Sequence, residues 1–404
     1  MESSHPSYDT IIVGGGMVGM SLAVALAREG LQVALIEKAS LPSQLDPTFD
    51  GRVSAIALGS KNILENIGVW EGMAKEAQPI LDIRVSDGAA PFFLHYCHRD
   101  IGSEPFGYIV ENRYIRHALH AAARETSNIT LYENTTVADF AADDSGCNVH
   151  VNGKTLRCRL LIAADGKQSP LRKQSGIKAA EWGYGQTAIV CTIRHEKSHE
   201  GLAQERFLPA GPFAVLPMTG NRSSLVWVEP DDRVDTYLTL PDGEFAQEIT
   251  ERVGTYLGSI TVEGKRFSYP LSLMHAYSYI GERLALIGDA AHAIHPIAGQ
   301  GVNLGFRDVA VLTELVAERF RLGMDIAAPD VLEHYQQWRR FDNTTMLAVT
   351  DGLNRLFSNN VIPLRVARNL GMWAVGKMPP IKRFFMRHAM GLEGDMPKLM
   401  RKSI

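Results

Sequence analysis

The stretch Ile11-Ile12-Val13-Gly14-Gly15-Gly16-Met17-Val18-Gly19 decides the fold. A short apolar run meets Gly-x-Gly-x-x-Gly, and a helical pattern runs from Met17 to Arg28. A second apolar run, Val33-Ala34-Leu35-Ile36, ends in Glu37. This strand–turn–helix–strand order is the setting in which such glycines bind a dinucleotide. Gly14 permits the tight turn, Gly16 lets backbone amides approach a pyrophosphate, and Gly19 lets the helix pack on the strand. The first helical turn, with Met17 and Val18, offers free N–H groups and partial positive charge to the phosphates. Glu37, followed by Lys38, ends the second strand and is placed to accept hydrogen bonds from an adenosine ribose. An acid there disfavours a 2′-phosphate, so NADP is not the expected resident nucleotide.

Two later segments repeat the logic of a buried strand that delivers a carboxylate at its end. One is Leu160-Leu161-Ile162-Ala163-Ala164-Asp165-Gly166, which leads into a basic helix start at Pro170-Leu171-Arg172. The other is Leu284-Ala285-Leu286-Ile287-Gly288-Asp289. In open α/β sheets ligands bind beyond the carboxyl ends of the strands, where both aspartates fall. The loop His295-Pro296-Ile297-Ala298-Gly299-Gln300-Gly301-Val302-Asn303-Leu304-Gly305 follows the second. Pro296 stiffens it, Gly299 and Gly301 free it, and it opens a helix.

Length and composition suit a soluble enzyme of two or three domains: 404 residues, 45% hydrophobic and 21% charged. A net charge of −4 gives no electrostatic case for nucleic acid. Met1 to Asp9 lacks the basic and apolar regions of a signal peptide, and no apolar stretch is long enough to span a bilayer. Cys97, Cys147, Cys158 and Cys191 are scattered without a C-x-x-C. They read as reduced thiols of a cytoplasmic protein, with no disulfide framework and no metal site.

The α/β pattern is interrupted. A β-like insert spans Ile83 to Ile109, and the layer resumes with a helix near Arg113 to Glu125. Strands are expected at Ile129 to Val137 and Leu160 to Ala164. From Ala188 to Tyr269 the chain reads mostly as strands. From Asp330 to Ile404 it reads as helical.

The three fingerprints together resemble the single-component, class A flavoprotein aromatic hydroxylases, over the whole chain. Further segments are similar to the ubiquinone-biosynthesis hydroxylases, which act on a polyprenyl-phenol ring. These are Trp182-Gly183-Tyr184-Gly185-Gln186-Thr187-Ala188, Gln204-Glu205-Arg206-Phe207-Leu208-Pro209, the loop from His295 to Gly305, and Asn354-Arg355-Leu356-Phe357. The resemblance implies an α/β fold with a Rossmann-like FAD-binding domain of the para-hydroxybenzoate hydroxylase type. That domain would be discontinuous, over 1–75, 111–180 and 280–330. A mostly antiparallel β-sheet substrate domain would take 76–110 and 181–279, and a basic helical region 331–404.

The resemblance also implies roles. Gly14, Gly16 and Gly19 would hold the FAD pyrophosphate and Glu37 the ribose. Arg52, in Asp50-Gly51-Arg52, would lie near the pyrophosphate and ribityl chain. Asn112 and Arg113 would line the ribityl chain, Val137 at a strand end would meet adenine, and Asp289 would bond a ribityl hydroxyl. Asp165 would shape its turn and reach FAD through neighbours or water. Without the resemblance, Arg52 also reads as a surface cation and Asn112 as a helix cap. Reduced flavin carries negative charge near N1 and C2=O. Free amides at Gly301, Val302 and Asn303, with the helix dipole, would stabilise it. The implied reaction inserts one atom of O2 into a phenol ring through a flavin C4a-hydroperoxide, in a site that excludes water. The phenolate must be favoured, and His199, His275, His295 and several tyrosines are all candidates to assist. No second Gly-x-Gly-x-x-Gly is present, which agrees with transient use of NAD(P)H or of a protein electron donor.

Rival readings lack their marks. A flavin halogenase would need Trp-x-Trp-x-Ile-Pro, and a disulfide reductase a C-x-x-C. A non-enzymatic prenyl-binding protein of the same fold would not need Asp289 or the Gly301 loop. A hydroxylase of another aromatic substrate stays open. From Pro363 to Ile404 there are nine Lys and Arg against two acids, six of the fourteen methionines, and Trp373, Phe384 and Phe385. Ile381, Phe384, Phe385 and His388 share one helical face. Such a helix suits either an anionic inner-membrane surface or a cap packed on the FAD domain.

Overall fold

The apolar runs Ser7–Val13, Val33–Ile36, Lys154–Ala163 and Leu284–Leu286 become neighbouring strands of one sheet. A computed structural model describes residues 7–45, 51–88, 93–294, 299, 301–357 (backbone alone at 353–355), 371, 375 and 377–402. The order across the sheet is Ile280–Gly281, Leu284–Leu286, Lys154–Ala163, Ser7–Val13, Val33–Ile36 and Ile129–Tyr132. The last five run parallel, with Ile11 paired to Leu161 on one side and Ala34 on the other. Their central residues are fully buried, as parallel strands covered on both faces require. The helix Met17–Arg28 packs on Asn112–Glu125 and Gly301–Arg321.

One expected strand proves to be two. The run from Ile129 stops at Tyr132, and Val137 begins a new strand, Val137–Asp143, rather than ending one. The break is at Asn134, whose φ of 51° puts it in the left-handed region that asparagine tolerates. Val137–Asp143, Gly146–Val151 and the start of Lys154–Ala163 then form an antiparallel meander.

A second sheet of eight strands carries the β-rich stretches. Its order is His292–Ala293, Ile260–Ala276, Ala179–His195, Arg222–Pro230, Gly211–Met218, Leu202–Leu208, Asp82–Asp87 and Phe93–Cys97. Only Leu202–Leu208 and Asp82–Asp87 pair in parallel. The insert expected from Ile83 to Ile109 is shared between two sheets. Gln78–Ile80 and Gly107–Glu111 join Val53–Ala57 in a separate three-stranded sheet. Two helices, Val234–Leu238 and Asp242–Val253, interrupt the stretch that reads as strands. Phe245 and Ile249, one turn apart, bury against Phe213 and Trp227 on the outer face of the large sheet. That leaves the opposite face free to line an interior space.

The C-terminal part holds Pro329–Phe357 and Pro379–Ala389. Met386 and Met390 pack with Leu58, Ile80 and Phe106, and Met400 joins the main core. The buried face of this helix is therefore the methionine face. Ile381, Phe384 and Phe385 are 37%, 54% and 43% exposed. Among the described residues no helix is long and apolar enough to cross a membrane.

Candidate cofactor and substrate cavity

The Gly-rich turn is built around close approach. Gly14 has a φ of 112°, and a Cβ there would sit 2.2 Å from the Ala164 carbonyl oxygen. A Cβ on Gly19 would sit 2.0 Å from the Gly14 carbonyl oxygen. A Cβ on Gly16 would meet no protein atom within 4 Å, because that position faces open space. Gly16 caps the Met17–Arg28 helix without any side-chain hydrogen bond, and no acid sits in its first turn. The amides of that turn are thus directed at a cavity that has room for an anion. Glu37 steadies the turn from the second strand. Its Oε2 accepts from Gly15 N at 2.6 Å and its Oε1 from Ala39 N at 2.9 Å.

One cavity of about 1130 Å³ opens from this turn. Gly16, Met17, Val18, Gly19, Arg52, Asn112, Asp289, Gly299, Gly301 and Val302 all line it. Among the described residues, the remaining expected contacts do not. Gly14 and Glu37 stand behind the turn, and Lys38 is exposed. Val137 is half-buried in the meander. Arg113 turns its guanidinium to Glu111 at 2.9 Å and to the Tyr114 hydroxyl at 3.0 Å. Asn303 spends its side chain on the protein: it accepts from Ala57 N at 2.9 Å and donates to the Ala55 and Gly299 carbonyls. Its backbone alone is free to serve a ligand. Asp50, Pro296 and Gln300 lie outside the described residues, as does His295.

The two strand-end aspartates differ. Asp165 is set behind Ala164, Gly166 and Lys167, which line the cavity. Its Oδ2 accepts from Leu171 N at 3.3 Å, while its Oδ1 is buried without a partner. Burial pushes its pKa up, against hydrogen bonds from Ser169 and Leu171. Asp289 looks directly into the cavity. Its deep setting pushes its pKa up, and His292, Arg52 and Lys167 pull it back. The carboxylate is exposed to the cavity, so water there offsets part of that rise, and a ligand that displaces the water restores it.

A buried ion network fixes the Gly288-Asp289 turn. Asp308 Oδ2 accepts from Gly288 N at 2.9 Å and from His292 Nε2 at 2.6 Å. Its Oδ1 accepts from Arg339 Nε at 2.7 Å. Arg339 also reaches Asp342 at 2.6 Å and Asn343 at 2.7 Å. Arg172 links the two aspartate turns, donating to the Ala290 and Lys167 carbonyls at 2.8 Å each. None of these partners was singled out for a site role in the sequence, because the residues are far apart in the chain.

The rest of the cavity is apolar. The free face of the large sheet supplies Val85, Leu94, Ala188, Val190, Ala214 and Val226. Glu205 interrupts that face, and Tyr96 faces the same space. The C-terminal helices close the far end with Leu356, Phe357, Val375, Phe385, Met386 and Ala389. Phe357 stacks on Phe207 with centroids 4.2 Å apart, and Tyr184 donates to Asp351 at 3.1 Å. Leu356 and Phe385 line the cavity yet are 37% and 43% exposed, so this end opens to the surface. His199 and His275 do not line it. His199 bonds the Met218 carbonyl and Gly201 N, and His275 bonds the Tyr279 hydroxyl. Burial lowers the pKa of His275 to about 4.

Residues 7–348 match the FAD binding domain family. The chain is 49% identical over 403 residues to a ubiquinone hydroxylase, UbiL, of Rhodospirillum rubrum, covering 99% of this chain and 94% of that protein. It is 35% identical over 384 residues to the 3-demethoxyubiquinol 3-hydroxylase of Escherichia coli, covering 94% and 98%. The crystal structure of p-nitrophenol 4-monooxygenase PnpA from Pseudomonas putida has the same fold, with a TM-score of 0.79 at 20% identity. It covers 96% of this chain and 99% of that one.

Proposed function

The chain belongs to the class A FAD-dependent aromatic hydroxylases, in their ubiquinone-biosynthesis subfamily, and we propose that it oxygenates the phenolic ring of a polyprenylated ubiquinone precursor. One observation carries this reading. The dinucleotide cradle and a long apolar chamber are two ends of a single cavity of about 1130 Å³. That volume exceeds the usual range for one small ligand, roughly 300–1,000 Å³. It suits a cofactor ring, a phenol head and part of an isoprenoid tail together.

The residues fit FAD. Gly16, Met17, Val18 and Gly19 offer an open helix N-terminus to the pyrophosphate, and Glu37, behind the turn, is at hand for the adenosine ribose. Arg52 and Asn112 would flank the ribityl chain, and Asp289 would accept from one of its hydroxyls. Gly299, Gly301 and Val302 would bring backbone amides against the ring. When bound, FAD supplies reductive activation of O2, with NAD(P)H or a reduced electron-donor protein as the source of electrons. The chain's own work is to hold the phenol against the cofactor and to keep water away with the apolar sheet face. The tail would run toward Phe357 and Phe385, where the cavity opens.

The exposed Ile381, Phe384 and Phe385 beside that opening support docking of the protein on an anionic lipid surface at the cytoplasmic side. Substrate would then pass from bilayer to cavity without crossing water. Part of the basic surplus is locally offset, since Lys382 pairs with Asp100 and Arg387 with Glu393.

The test is single turnover. Photoreduced, FAD-loaded protein is mixed with a 2-prenylphenol and isotopically labelled O2. One labelled oxygen in the ring is the expected outcome. Oxidation of the flavin with peroxide release and an unaltered phenol would overturn the reading. A protein purified with no flavin absorption, and unable to take FAD up, would favour a prenyl-binding role.

A further inference from the structure

Glu205 is a carboxylate set into an apolar wall. It lies on Leu202–Leu208, and Ala203 and Phe207 share its face. The register puts Ala214 beside it on one side and Val85 on the other. The same row continues to Val226 and Leu94. All of these line the cavity. The Glu205 side chain makes no hydrogen bond or ion pair among the described residues.

Nearby cations are turned away or held elsewhere. Arg206 points to the outer face, where it donates to the Gly88 carbonyl at 2.9 Å and to that of Arg252. Arg84 stacks on Phe93, 4.8 Å from the ring centre. Among the described residues, the other charged or titratable groups facing the cavity are Tyr96, Tyr269, Arg52, Lys167 and Asp289. Arg52 lies over the Tyr269 ring at 4.7 Å, and Lys167 reaches Ser272 and Glu181. Burial pushes Tyr96 up to about 12, so it remains a donor rather than a base. An unpaired carboxyl in an apolar wall costs stability and returns nothing in packing. A site with a perturbed, unpartnered acid facing a ligand cavity is where chemistry is expected.

We propose that Glu205 is the base that accepts the phenolic proton of the substrate, an inference that rests on the hydroxylase reading above. The O–H bond of the phenol breaks, and the proton passes to a Glu205 carboxylate oxygen. The electron pair stays on the phenolate oxygen and enriches the ortho and para ring carbons. The product phenolate takes the proton back. An unperturbed phenol, with a pKa of about 10, is ionised at neutral pH in roughly one molecule per thousand. Burial alone pushes Glu205 up to about 7. That is the range in which a base is both available and strong enough to matter. Glu205 is partly accessible, but to the cavity. Water there would lower its pKa, and an apolar tail that displaces the water would raise it.

The test compares E205Q and E205D with the wild type as FAD-loaded holoenzymes, in single turnover with a 2-prenylphenol across pH. E205Q should lower the rate of ring oxygenation by about 10²- to 10⁴-fold and remove the rise of rate with pH near 7. E205D should recover part of both. A prenylphenol carrying an electron-withdrawing group, already ionised at neutral pH, should narrow the gap between E205Q and wild type. Flavin content and the anaerobic melting temperature check that E205Q is folded. Should E205Q fold poorly, E205D and the acidic phenol carry the comparison. An E205Q enzyme with the wild-type rate and pH profile overturns the proposal. So does a gap that stays the same for the acidic phenol. A wild type that forms no hydroxylated product sinks the hydroxylase reading instead.

Discussion

Asp308 and His292 meet across 2.6 Å with both side chains almost wholly removed from solvent. The same carboxylate holds Gly288 N and Arg339, so it ties the turn that carries Asp289 to two long helices. Its neighbours His292 and Arg339 hold its pKa down to about 2 despite burial. D308N should cost about 3–5 kcal/mol, because Arg339 loses its fully buried counter-charge and keeps only the partly exposed Asp342. The sign with pH follows from the lowered value. The contribution is complete above the unfolded pKa near 3.9 and is lost as pH falls toward 2. Denaturant unfolding of the two proteins between pH 7 and pH 2 checks this. The stability gap should shrink in acid.

Asp289 lines the cavity without supporting the core, so its substitution should separate cofactor affinity from folding. D289N should leave the melting temperature of the apoprotein nearly unchanged. It should weaken FAD binding by about 10- to 100-fold, the equivalent of one hydrogen bond to a charged group. Burial raises the Asp289 pKa, so wild-type affinity should fall on acidification above the ordinary aspartate range. D289N should lack that limb. Flavin fluorescence titration across pH measures both effects.

The exposed apolar trio gives a clean test of lipid docking. Removing the whole C-terminal region would also remove Met386, Met390 and Met400, which are buried in two cores. The double variant I381E/F384E instead alters positions 37% and 54% exposed. Its stability should stay within about 0.5 kcal/mol of wild type. Its flotation with phosphatidylglycerol vesicles should fall several-fold. Unchanged flotation would remove these residues from any lipid contact.

How far the sequence reached depends on whether a feature is local. The cradle was legible because Gly14, Gly16 and Gly19 act within one turn, and because Asp165 and Asp289 end recognisable apolar strands. The helix Asp242–Val253 was not, since its two buried residues, Phe245 and Ile249, are outweighed by flanking strand-like runs. The Asp308–Arg339 pairing joins side chains 31 positions apart in sequence, and only the packed helices bring them together. Glu205 had a faint signal. The alternation Ala203-x-Glu205-x-Phe207 puts an acid on the apolar face of a strand, but its meaning depends on what covers that face. Arg113, which the resemblance placed with Asn112 along the ribityl chain, turns its guanidinium to Glu111, because successive residues at a helix start diverge.

The strand order has a consequence for how the holoprotein comes into being. Ser7–Val13 gains Val33–Ile36 early on one side, but its other edge is paired only when Lys154–Ala163 has been made, and that strand waits in turn for Leu284–Leu286. The amides at Gly301 arrive later still. No nascent chain that stops short of Gly301 carries a complete cradle, although the glycines at its heart are made long before it. Flavin capture is therefore a late event in synthesis, and the open edge of Ser7–Val13 must be shielded until residue 163, roughly two fifths of the way along the 404 residues, has been made.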